Sequence, residues 1–137
     1  MTDHLDHLAI KANIQSVTLA SEGNKDAWLA LYADDAILQD PVGKSPLEES
    51  GNGHAGKPAI EAFWDTVIGP SNIQIHVKKR IPSGDRHCAV LQTAINDMGN
   101  GKTTEVDMIA TYEVDDNGLI KRMSAYWCFD DLMKQMF

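Results

Sequence analysis

Apolar residues in this chain recur at helical intervals before Gly69 and at alternating intervals after Ile73, and that single change of period limits what it can fold into. From about Leu5 to Glu22, the residues Leu8, Ile10, Ile14, Val17 and Leu19 keep mostly helical spacing, and Gly23 supplies a C-terminal stop. Asn24 is suited to cap a second, shorter helix, with Asp26 in its first turn and Ala27, Trp28, Leu31 and Tyr32 on its inner face. A short strand is expected from Ala36 to Asp40, ended by Pro41. Pro58 opens a third helix that runs to about Ile68, with Ile60, Phe63, Trp64 and Val67 as its apolar stripe before Gly69-Pro70.

Four strand-like stretches follow, near Ile73–Ile81, His87–Asn96, Thr104–Val114 and Leu119–Cys128. Turn residues separate them at Pro82-Ser83-Gly84-Asp85, Gly99-Asn100-Gly101 and Asp115-Asp116-Asn117-Gly118. Helices first and consecutive hairpins afterwards predict an α+β domain, with helices covering one face of a curved antiparallel sheet. A length of 137 residues, 43% of them hydrophobic, suits one domain over residues 1–137 with one sizeable core. The segment between Gly43 and Gly56 is rich in Gly, Ser, Pro and charge and reads as a long exposed loop.

Charge narrows the function. A formal net charge of −8 argues against nucleic-acid binding, which needs clustered Lys and Arg to displace counterions. The basic clusters Lys78-Lys79-Arg80 and Lys121-Arg122 fall in alternating stretches and read as solvated strand faces. No run of about 18 apolar residues and no basic-then-apolar leader is present, so no membrane partner is expected. Cys88 and Cys128 lie far apart with no CxxC motif, which fits a reducing, cytoplasmic setting.

Asp40 carries the chemistry in this reading. The apolar run Ala36-Ile37-Leu38 leads through Gln39 to a carboxylate followed at once by Pro41-Val42-Gly43. A carboxylate at the inner end of an apolar strand must find donors or accept a raised pKa, and a raised pKa suits proton transfer. Other polar groups have plainer readings. Asp34 and Asp35 diverge as neighbours and read as surface; His4 and His7 lack a third metal ligand; Cys88 and Cys128 read as small core residues. His76 and His87 are second candidates for acid–base work, because imidazole titrates near neutrality. No nucleophile elbow, phosphate loop or dinucleotide fingerprint occurs, and neither a cofactor nor a metal is expected.

The segments Leu31-Tyr32-Ala33-Asp34-Asp35-Ala36, Asp40-Pro41-Val42-Gly43, Ala62-Phe63-Trp64 and Met123-Ser124-Ala125-Tyr126-Trp127 resemble bacterial ketosteroid isomerases, and more broadly the SnoaL-like members of the NTF2-like (cystatin-like) superfamily. The resemblance implies an α+β cone in which three N-terminal helices pack on a curved mixed, mainly antiparallel sheet around an apolar pocket. It implies that Asp40 removes a proton beside a ketone and returns it two carbons away, shifting a double bond into conjugation. It also implies a small apolar, carbonyl-containing ligand and a homodimer formed through the sheet.

In that family a tyrosine and a protonated aspartic acid donate to the developing oxyanion, an arrangement that is itself a standard worked example of pKa tuning. Ungapped counting sets Ser16 and Ala110 at those two positions, so Ser16 and the Trp64 indole are the remaining candidate donors and steroid turnover is expected to be weak. Asp107, three residues from Ala110, belongs on the opposite sheet face. The implied ligand contacts are Val17, Tyr32, Phe63, Trp64, Met108, Ala110, Met123, Ala125 and Trp127, and Val106, Tyr112 and Val114 share a face with Met108 and Ala110. With its donors replaced, a non-catalytic binder or a SnoaL-like cyclase is the alternative.

Overall fold

The computed structural model describes residues 4–136. Helix α1 spans Leu8–Glu22, three residues shorter at its start than expected, because His7 is its N-cap. The His7 Nδ1 accepts from the Ala9 and Ile10 amides at 3.2 and 3.4 Å, which leaves Nε2 to donate to the Gly84 carbonyl at 2.9 Å. His7 is therefore occupied as a cap and as a tie to the first hairpin turn. Gly23, at φ 70°, closes the helix in the left-handed region that glycine adopts without strain. Asn24 then caps α2, Lys25–Leu29, by accepting from the Ala27 amide at 3.3 Å.

Helix α2 ends sooner than its apolar spacing suggests. Leu31 offers its carbonyl to the Ile120 amide at 2.8 Å, and strand β1 already runs from Tyr32 to Gln39. Tyr32 is thus a strand residue, because pairing with a distant strand outweighs a weak local helical preference. The segment expected to be an open loop is partly ordered: His54–Ala55 form strand β2, antiparallel to β1. The Glu48 carboxylate gathers the Ser50 and Gly53 amides and the Ser50 hydroxyl at 2.6–2.9 Å, and these bonds hold its pKa down at about 2.

Helix α3 covers Lys57–Phe63 and widens into a π-helical turn over Trp64–Ile68 before Gly69. Strands β3 (Ile73–Ser83), β4 (His87–Asp97), β5 (Thr103–Val114) and β6 (Ile120–Tyr126) form the hairpins that the turn residues predict. The sheet order is β2-β1-β6-β5-β4-β3, antiparallel throughout except that β1 runs parallel to β6. One element is unexpected: helix α4, Phe129–Met136, follows β6 where the last strand was expected to reach Cys128. Its Gln135 side chain grips the Glu105 backbone, accepting from the amide and donating to the carbonyl at 2.7 Å each.

Helix α1 lies across β3, β4 and β5, and α3 packs on β1, so the helices cover one face of a curved α+β sheet. Alternation along β5 is clean: Ala110, Tyr112 and Val114 face inward and are buried, whereas Asp107 and Ile109 face out.

Candidate active site

A cavity opens between the helices and the inner face of the sheet, and its walls are mostly apolar. Asp40 enters it from the end of β1. The Val42 amide donates to the Ala125 carbonyl on β6 at 2.8 Å, which anchors the chain just past that end of the strand; the Asp40–Pro41 peptide is cis. The Asp40 carboxylate shares the cavity with Leu38, Met123 and Trp127, and the Trp127 Nε1 donates to its Oδ1 at 2.5 Å. Burial in this apolar setting pushes the Asp40 pKa up from 3.8 to about 6, and the Trp127 bond opposes the rise without cancelling it.

Of the expected contacts, Ser16, Val17, Tyr32, Phe63, Met108, Met123 and Trp127 line the same cavity as Asp40. Three others lie elsewhere. Trp64 is buried behind the wall, its ring 5.1 Å from that of Trp28, and it is Trp28 that reaches the cavity. Trp64 still has α-helical backbone angles and donates its amide to the Ile60 carbonyl, so it leaves α3 about 100° around the helix from Phe63, which does line the cavity. Ala110 and Ala125 face inward but are fully buried, and their methyl groups are too short to reach past their neighbours into the cavity. Ala125 contributes instead through its carbonyl, which anchors the turn after Asp40.

His76 and His87 are both exposed and stand outside the cavity, so neither is paired with Asp40. Asp107 faces out, as alternation required, and accepts from Thr93 at 2.6 Å. Burial pushes the Cys88 thiol up to about 11, which suits an inert core residue. No residue from 43 to 54 lines the cavity, and no group of three potential metal ligands occurs among the described residues.

A polar seam unread in the sequence runs along the inner side of α1. The Trp28 Nε1 donates to Ser16 Oγ at 3.3 Å, and the Arg80 Nε donates to Asn13 Oδ1 at 2.7 Å. Asn13 Nδ2 in turn donates to Gln92 Oε1 at 3.4 Å. Asn13, Ser16 and Gln92 are all buried, and the hydroxyl of Tyr32, buried beside them, has no hydrogen-bond partner. Gln92 shares the inward face of β4 with Val90 and Ala94, and a glutamine in that alternating apolar position is the signal the sequence offers.

Such a cavity, with one acidic group of raised pKa and few other polar atoms, is suited to bind an apolar molecule and move a proton on it. Residues 15–123 match the SnoaL-like domain, and the chain belongs to that family, within the NTF2-like superfamily. Over 111 residues it is 31% identical to the steroid Delta-isomerase of Nocardioides simplex, covering 81% of this chain and 82% of that one. The crystal structure of Delta 5-3-ketosteroid isomerase from Mycobacterium sp. superposes with a TM-score of 0.85 at 33% identity, covering 91% of this chain and 96% of the other. RV0760c from Mycobacterium tuberculosis, in complex with estradiol-17beta-hemisuccinate, does so with a TM-score of 0.85 at 34% identity, over 90% and 96% of the two chains.

Proposed function

We propose that this protein is a cofactor-independent isomerase of steroid-like ketones, with Asp40 as the general base. The observation that carries the reading is the Asp40 carboxylate in the apolar cavity, with a pKa raised to about 6 and a single indole donor on one oxygen. A base of that strength is largely ionised at neutral pH yet much stronger than an exposed aspartate.

The proton balance is simple. Asp40 takes a proton from the carbon next to the carbonyl; the C–H electron pair becomes part of a dienolate, and the charge collects on the carbonyl oxygen. The protonated Asp40 then delivers the same proton two carbons away, which leaves a conjugated enone and a regenerated carboxylate. Val17, Phe63, Met108 and Met123 would hold the apolar body of the ligand. The relatives named above, two of them steroid isomerases and one bound to a steroid ester, support a steroid as the first substrate class to try.

The test is conversion of 5-androstene-3,17-dione by purified protein, followed by the absorbance of the conjugated enone, with Asp40→Asn alongside. Turnover lost in the variant is expected, and turnover unchanged by it removes Asp40 from the mechanism. A second reading is favoured by Ala110 and Ser16, which give little direct help to an oxyanion: a binder that holds its ligand without efficient chemistry. That reading gains if a steroid binds and no enone forms. We also propose a homodimer through the outer sheet face, where Leu91, Ile109 and Tyr126 stand in register and exposed.

A further inference from the structure

Ser16 is too short to reach far into the cavity, and its oxygen already accepts from Trp28. Ala110 offers no polar side-chain atom. Two residues beyond Ala110 on the same face of β5, Tyr112 is 2% exposed and lines the cavity. Its phenol meets Asn13 and Ser16, which lie three apart on α1 and therefore on one helix face.

Hydrogen-bond accounting gives the phenol a direction. Asn13 Oδ1 accepts the charged Arg80 Nε–H, and one hydrogen of Asn13 Nδ2 goes to Gln92 Oε1. The second Nδ2 hydrogen has no other acceptor among these groups, and the neighbouring Tyr112 oxygen is placed to take it. The Ser16 hydroxyl, with a lone pair engaged by Trp28, has one hydrogen to give, and the Tyr32 and Tyr112 phenols both lie beside it. A phenol oxygen that accepts from the α1 side has its own O–H free to turn away from α1, toward the cavity that Tyr112 lines.

We infer that Tyr112 is the donor that receives the ligand's carbonyl oxygen, a phenol supplied by strand β5 in place of one from helix α1, with Asn13 and Ser16 as positioning residues. Burial and the nearby Asp40 charge push its pKa up to about 12, so the hydroxyl keeps its proton over the working range and acts as a donor, not a base. The inference rests on the reading of the cavity as a site for an apolar ketone.

The probe is 19-nortestosterone, a conjugated 3-ketosteroid whose enone absorption moves to longer wavelength when its carbonyl accepts strong hydrogen bonds. Affinity is read from quenching of tryptophan fluorescence, and the state of the carbonyl from the enone band. Wild type and Asp40→Asn are expected to bind with a red-shifted band. Tyr112→Phe, nearly isosteric and checked by its far-UV circular dichroism, is expected to bind at least about tenfold more weakly and to lose most of the shift. Asn13→Ala is expected to retain part of it. Binding by Tyr112→Phe with wild-type affinity and shift overturns the role given to Tyr112 while leaving the cavity reading intact. Absence of binding by wild type overturns both.

Discussion

Trp127 donates its indole N–H to Asp40 across 87 residues of sequence, at 2.5 Å, and among the described residues it is the only side chain bonded to that carboxylate. The contact joins the end of β1 to the chain just past β6, the two strands that run parallel in an otherwise antiparallel sheet. A hydrogen bond to the charged form lowers a carboxylate pKa, and burial raises it. Here burial prevails, with Asp40 at about 6.

Trp127→Phe removes the opposing contribution. The Asp40 pKa is then expected to rise further, and the rising limb of kcat/KM against pH moves to higher pH. Activity falls several-fold near pH 6 and little near pH 9. A pH–rate profile checks this, and a limb that stays in place would show that Trp127 does not tune the base.

Asp40 also costs stability. Its folded pKa of about 6 exceeds the ordinary 3.8, so between those values the folded state binds more protons than the unfolded chain, and stability falls as pH rises from about 4 through 6. The cost is then fully present at neutral pH. A shift of about two units corresponds to about 3 kcal/mol, so Asp40→Asn is expected to stabilise the ligand-free protein by up to that amount at pH 7 and little at pH 4. Denaturant titrations of both proteins at the two pH values measure it.

Much of this architecture was legible. The hairpins β3 to β6 followed from turn residues between alternating stretches, because those signals are local. Asp40 as a cavity carboxylate followed from an apolar run broken by a charge. Tyr32 was misassigned to a helix, since nothing near it in sequence reveals the Ile120 amide that claims the Leu31 carbonyl. Phe63 and Trp64 share an apolar stripe in the sequence, and nothing local to them says which of the two lines the cavity and which packs behind it against Trp28. Helix α4 did leave a trace: Phe129, Leu132, Met133 and Met136 keep helical spacing, hidden because the preceding strand pattern runs straight into it.

Gly53 holds β2 against β1 at φ 97°, where a Cβ would fall 2.7 Å from Gln39 Cγ and 2.9 Å from Ile37 Cγ2. Gly53→Ala therefore combines backbone strain with a clash, and an expected loss of about 1–3 kcal/mol follows. Chemical denaturation checks it; a neutral result would mean that β2 contributes no stability.

Ile109 is 50% exposed in the middle of the outer sheet face, directly between Leu91 and Tyr126. Ile109→Asp is expected to convert a dimer to monomers in sedimentation velocity while leaving the circular dichroism spectrum unchanged. A wild-type protein that sediments as a monomer at all concentrations would remove this face as the dimer surface.

The claim that Asp40 moves a proton is tested most directly by hydrogen exchange on a ketone, which needs no complete turnover. Protein is incubated in heavy water with a 3-ketosteroid, and loss of the signals from the protons beside the carbonyl is followed by proton NMR. Protein-accelerated exchange is expected to rise with pH through about 6 and to fall by at least about 10³-fold in Asp40→Asn. Exchange of equal rate in wild type and Asp40→Asn would contradict that role.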